Sequence, residues 1–200
     1  AIATSYQSRL FDIIQPSQTT PETLYFNGRE AAQLALLQDA LQPQALNHLQ
    51  QALRSANHSP AITVLLHGHP GTGKTASVLQ WARQSERAVL RVEIEQVRSK
   101  WLGESERNLR RIFDDYESAC REYAQLPILL FNEADALFSK RITVERSVDQ
   151  IHNNLQNLLL QALEDFQGIL VATTNLARQM DAAFDRRFLY KVEFNRPEKQ

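Results

Sequence analysis

The chain reads as α/β: a three-layer αβα sandwich on a parallel five-stranded sheet, preceded by N-terminal helices. Two observations carry that expectation. From Ala61 onward, short apolar runs alternate with longer stretches of helical periodicity, the pattern of βαβ units around a parallel sheet. At the first run-to-helix junction, Gly68 to Thr75 is a glycine-rich segment with an apolar strand before it and a helix after it.

Residues 1–60 differ in texture and are read as an N-terminal helical segment packing on the core. They are rich in Gln, Ala and Leu, lack a long β-branched run, and are punctuated by Pro16, Pro21 and Pro43. Leu34, Leu37 and Leu41, then Leu46, Leu49 and Leu53, recur at three- and four-residue steps, which predicts two amphipathic helices divided near Pro43. Beyond Pro60 the expected strands are Ile62 to Leu66, Ala88 to Ile94, Ile128 to Phe131, Ile169 to Thr173 and Tyr190 to Phe194. Helices are expected from Lys74 to Ser85, Ser105 to Tyr123 and Val148 to Phe166.

Composition narrows the function classes. Among 200 residues, Lys+Arg at 22 nearly balance Asp+Glu at 23, so no global positive field holds a nucleic-acid backbone, and nucleic acid is not the expected partner. Apolar runs fall far short of the roughly 20 residues that cross a bilayer. No secretory leader pattern opens the chain. A single cysteine, Cys120, excludes an internal disulfide scaffold and fits a reducing cytoplasm, the expected location. The five histidines show no metalloprotease spacing.

Gly68-His69-Pro70-Gly71-Thr72-Gly73-Lys74-Thr75 matches the phosphate-loop pattern G-x-x-x-x-G-K-[ST] in full. Backbone N–H groups and the helix N-terminus would converge on one anion, with Gly68, Pro70, Gly71, Thr72 and Gly73 forming the cradle. Lys74 is placed to reach the β- and γ-phosphates and Thr75 to present its hydroxyl to Mg²⁺, so ATP and Mg²⁺ are the expected cofactors. Ile128 to Asp135 is an apolar strand ending in Asn132, Glu133 and Asp135. Glu133 fits a base for the attacking water. Asn132 stands where an Asp usually helps to hold Mg²⁺, keeping an acceptor oxygen but losing the charge. Either Thr75, the phosphates and Asp135 suffice and the site turns over, or the site is inactivated; the intact Glu133 favours the former.

These motifs, in this order, resemble the AAA family of hexameric ATPases, and particularly a bacterial branch of stand-alone members. The resemblance covers about two-thirds of the chain, and residues 61–200 are read as the AAA+ P-loop ATPase large subdomain. It implies that Asn175, at the end of Val171-Ala172-Thr173-Thr174-Asn175, is the sensor that orients the lytic water. It implies that Arg186 and Arg187 supply an arginine finger to a neighbouring subunit. Lys100-Trp101-Leu102 is similar to the family's pore loop, with Trp101 as the substrate gripper, and Tyr25-Phe26-Asn27 resembles the segment that enters near adenine. Family members continue into a C-terminal helical lid, which is absent from this chain. The implied activity is ATP hydrolysis in a homo-oligomeric ring, a hexamer when the lid is present, coupled to remodelling or translocation of a protein substrate. The alternative is a nucleotide-gated assembly scaffold that hydrolyses weakly because of Asn132; a nucleic-acid-directed motor ranks below both.

Overall fold

The computed structural model describes residues 10–94, 105–139, 147–176 and 180–197, with the side chains of 147–152 left aside. In chain order the elements are β1 (Asp12–Ile14), α1 (Gly28–Ala40), α2 (Pro43–Ser55), β2 (Ile62–Gly68), α3 (Lys74–Gln84), β3 (Val89–Glu93) and α4 (Ser105–Glu122). They continue with β4 (Ile128–Asn132), α5 (Asp135–Phe138), α6 (Ser147–Asp165), β5 (Ile169–Thr174), α7 (Ala182–Asp185) and β6 (Tyr190–Phe194). The strand order is β1-β3-β4-β5-β2-β6.

All five expected strands are present and mutually parallel. The expectation of five strands nevertheless needs correcting, because among the described residues the sheet has six. The extra strand is β1, which runs antiparallel along β3 from within the segment expected to hold only helices and turns. Three residues are too few to show a period of two. What makes Asp12–Ile14 a strand is the otherwise unpaired edge of β3, whose N–H and C=O groups it satisfies.

Alternation along the strands builds the two apolar layers. Leu65, Leu90, Val92, Leu129, Phe131, Leu170 and Ala172 face α4 and α6, where Leu109, Ile112, Tyr116, Leu155, Leu159 and Leu163 meet them. Ile62, Val64, Leu66, Val89, Leu130, Val171 and Val192 face the other way, onto Leu34 and Leu37 of α1, Leu46 of α2, and Val78 and Trp81 of α3. Leucines spaced for an amphipathic stripe thus fill one side of a sheet buried on both faces, as parallel sheets require. Pro43 opens α2, where its missing N–H leaves no donor unmet.

Two buried polar devices tie the layers together. The Arg87 guanidinium, 1% exposed, donates from Nε (3.2 Å) and Nη2 (3.0 Å) to the Leu41 carbonyl and from Nη1 to Leu126 O at 2.9 Å. It places a cation at the C-terminus of α1, where the helix dipole favours one. Glu30, buried near the start of α1, accepts from the Asn27 N–H at 3.2 Å and from the Asn195 N–H at 2.8 Å. That carboxylate joins the entry of α1 to the exit of β6.

Candidate functional site

The crevice lies at the C-terminal ends of the parallel strands, where ligands bind in open α/β sheets. β2 ends at Gly68, the loop turns through Gly71 and Gly73, and α3 starts at Lys74. Two of these positions accept only glycine. A Cβ on Gly68 would sit 2.1 Å from the Phe194 carbonyl oxygen, and Gly73 caps α3 at φ +92°. Thr72 Oγ1 donates to His69 O at 2.7 Å, closing the loop on itself.

Lys74 is buried, and its ammonium uses all three donors: Gly68 O at 3.0 Å, His69 O at 2.7 Å and Asn175 Oδ1 at 3.0 Å. Burial pulls its pKa below the ordinary 10.5, against the opposing pull of the Asp135 and Glu133 carboxylates. The sequence separates Lys74 from Asn175 by 101 residues, yet β5 lies beside β2 and brings them into contact.

Thr75 donates from Oγ1 to Asn132 Oδ1 at 2.8 Å, and Thr173 Oγ1 donates to the same oxygen at 3.1 Å. The amide nitrogen of Asn132 faces away and donates to Glu93 at 3.0 and 3.3 Å. Thr75 and Asn132 thus present neutral, hard oxygens side by side, a donor set that fits a Mg²⁺ carrying phosphate and water ligands.

Glu133 is exposed to the crevice and has φ +52°, a left-handed conformation that costs a non-glycine residue about 1 kcal/mol. Thr173 holds it there. Its Oγ1 accepts the Glu133 N–H at 3.0 Å and its carbonyl accepts the Ala134 N–H at 2.8 Å. Asp135, which sequence reasoning offered as a possible metal helper, instead accepts from Thr174 Oγ1 (2.5 Å) and the Asn175 N–H (2.8 Å), bracing the end of β5.

The expected residues divide into those that share one cleft and those that lie apart from it. Pro70, Gly71, Gly73, Lys74, Thr75, Glu133, Thr173, Thr174 and Asn175 line one cleft of about 200 Å³. Arg186 and Arg187 do not reach it. The Arg187 carbonyl accepts from Thr63 Oγ1 at 2.7 Å, at the end of β2 opposite Gly68 and about 17 Å along the strand from it. Arg187 is ion-paired with Glu164, whereas Arg186 is exposed. Phe26 packs edge-on against Phe194 at 5.7 Å and lies beside Gly73, while Tyr25 is 75% exposed and Asn27 caps α1. Lys100, Trp101 and Leu102 lie outside the described residues. Sequence reasoning missed Thr173 and Glu93. Glu93 had a signal of its own, an acid at the end of a strand expected to lie in the same sheet.

A glycine loop joining a central parallel strand to a helix, with a polar strand end two strands away, defines a P-loop nucleotide-binding domain. The profile of the family described as "ATPase family associated with various cellular activities (AAA)" matches residues 64–196, and the chain belongs to that family. It is 36% identical over 140 residues to the protein named "Uncharacterized AAA family ATPase y4kL" of Sinorhizobium fredii, covering 68% of this chain and 39% of that protein. It is 28% identical over 183 residues to spastin of Drosophila persimilis, covering 86% of this chain. The chain spans about a fifth (21%) of that spastin's length. A chain in the solved "Structure of E. coli MS115-1 HORMA:CdnC:Trip13 complex" superposes with a TM-score of 0.69 at 18% identity, covering 94% of this chain and 71% of that one. That likeness speaks for the fold. No helix among the described residues is long and apolar enough to cross a membrane.

Proposed function

We propose that this domain binds ATP with Mg²⁺ and hydrolyses it, as part of a cytoplasmic ring that acts on a protein substrate. The observation that carries the reading is the convergence of Lys74, Thr75, Asn132, Glu133 and Asn175 from three strand ends onto one cleft. In the proposed mechanism the loop N–H groups and the α3 N-terminus hold the phosphates. The Lys74 donors are already occupied, so a phosphate oxygen enters by displacing an acceptor. Asn175, the side-chain acceptor, can rotate away, while Gly68 and His69 offer main-chain carbonyls. Glu133 takes the proton from the attacking water. Thr75 and Asn132 would hold the Mg²⁺, which would supply charge neutralisation to the phosphates.

Among the described residues, Lys74 is the cation that lines the cleft, since Arg186 and Arg187 sit at the far end of β2. A finger from these residues therefore has to be given in trans, which supports a homo-oligomer, a hexamer in the family's manner. The implied roles of Lys100, Trp101 and Leu102 in gripping an extended polypeptide, the division into a helical segment (1–60) and an ATPase subdomain (61–200), and a lid beyond Gln200 belong to the same proposal.

Asn132 favours a second reading, a scaffold that binds nucleotide and turns it over slowly. Steady-state hydrolysis against Mg²⁺ concentration separates the two, with Glu133→Gln and Asn132→Asp beside the parent chain. Activity that Glu133→Gln abolishes supports the ATPase; activity seen only in Asn132→Asp supports the scaffold. Stimulation by nucleic acid rather than by unfolded protein would overturn the protein-substrate assignment.

A further inference from the structure

Among the described residues, the carboxylate that accepts from the Asn132 amide belongs to the neighbouring strand. Glu93 is the last residue of β3 and the register partner of Asn132 at the end of β4. We propose that Glu93 is a positioning residue for the metal side of the site: it locks the Asn132 amide and supplies, from β3, the negative charge that Asn132 lacks. The inference rests on the Mg²⁺–nucleotide reading above.

An asparagine side chain has two ends of nearly equal size, so hydrogen bonding alone decides which one faces the site. A carboxylate accepts and never donates when ionised. Glu93 therefore takes the amide nitrogen, through Oε2 at 3.0 Å and Oε1 at 3.3 Å. Rotating the amide by half a turn would set its oxygen against two carboxylate oxygens and its nitrogen against the Thr75 and Thr173 hydroxyls. With Glu93 in place, Oδ1 points to Thr75 Oγ1 (2.8 Å) and Thr173 Oγ1 (3.1 Å). Glu93 is itself held: Arg91 Nε lies 3.1 Å from its Oε1, and Arg91 Nη2 donates to Asp12 of β1 at 3.1 Å.

The same geometry makes the pair mutually dependent. An aspartate in place of Asn132 would set its carboxylate about 3 Å from that of Glu93, where like charges repel. Asn132 with Glu93 is thus one way to place a single charge at this strand end, and an aspartate on β4 opposite a neutral residue on β3 is the other.

The test uses the full 200-residue chain and the variants Glu93→Gln, Asn132→Asp and the double variant. AMPPNP affinity is measured by calorimetry in EDTA. The affinity of the AMPPNP-loaded protein for Mn²⁺ is read by electron paramagnetic resonance. Metal-free AMPPNP affinity is expected to be unchanged in Glu93→Gln. Mn²⁺ affinity is expected to fall about tenfold in Glu93→Gln, as for other outer-shell partners of a metal site. The double variant should recover it, and Asn132→Asp alone should fall short of the double. Glu93→Gln with unaltered Mn²⁺ affinity, even if it melts earlier, would overturn the proposal, as would Asn132→Asp binding Mn²⁺ as tightly as the double. A parent chain that binds no AMPPNP with or without metal would overturn the nucleotide reading and this inference with it.

Discussion

Replacing Asp135 by alanine separates the bracing of Asn175 from nucleotide binding. The carboxylate accepts from Thr174 Oγ1 at 2.5 Å, from the Asn175 N–H at 2.8 Å and, at the limit of 3.5 Å, from Asn175 Nδ2. Thr174 is buried at 1% exposure, so its hydroxyl is left without an acceptor, while Asn175 is exposed and regains water. One buried donor orphaned and one exposed charge-assisted bond lost amount to about 2 kcal/mol. For a chain of this size that lowers Tm by about 4–8 °C. Asn175 then loses its anchor beside Glu133, and kcat is expected to fall about 10²-fold, the scale of losing one preorganised polar group. ATP affinity should stay near that of the parent, because the loop and the hydrogen-bond partners of Lys74 are retained. Asp135→Asn keeps an oxygen acceptor and should restore most of both losses. Thermal melting, equilibrium nucleotide binding and steady-state turnover read the three quantities. An alanine variant that melts earlier yet turns over at the parent rate would refute the bracing role; one whose nucleotide affinity falls as far as kcat would place Asp135 in binding instead.

Other perturbations follow from the same geometry. Gly68→Ala drives a methyl group into the Phe194 carbonyl from a φ of +134°, and is expected to lose about 3 kcal/mol, visible as a reduced denaturation midpoint and weaker nucleotide binding. Arg186→Ala should leave ATP affinity intact and reduce turnover by about 10³-fold if it is the trans finger. Arg187→Ala chiefly breaks an exposed pair with Glu164, worth no more than about 1 kcal/mol, so a larger loss of turnover there than at Arg186 would reverse the assignment. Burial lowers the His67 pKa from 6.5, so the unfolded chain takes up a proton more readily than the folded one. Folded stability is therefore full above pH 6.5 and declines as pH falls below it, levelling off under the lowered pKa; His67→Gln should flatten Tm over that interval.

Much of the site was legible because its chemistry is contiguous. Gly68 to Thr75 is one strand-turn-helix, and each residue type in it answers to a local demand: positive φ, a free N–H, an ammonium, a hydroxyl. Glu133 stood out likewise, one step past an apolar strand. Asn175 had to be taken from family likeness, and the structure brings its Oδ1 to Lys74 through strand pairing. Thr173 and Glu93 went unnoticed because a threonine in a strand and an acid at a strand end are ordinary until their neighbours are known.

The fold divides along the same line. Alternating apolar runs and helical periodicity determine from sequence that a parallel sheet is covered by helices on both faces, since burial depends on a period that each segment carries by itself. Local pattern does not carry strand order or register, which arise from contacts between segments far apart in the chain. Only the tertiary structure decided that Asp12–Ile14 closes the β3 edge, that Glu93 stands opposite Asn132, and that Arg186 lies at the far end of β2 from the phosphate loop. These are outcomes of which edges and faces are left to be satisfied once the whole sheet has assembled, a condition no single segment encodes.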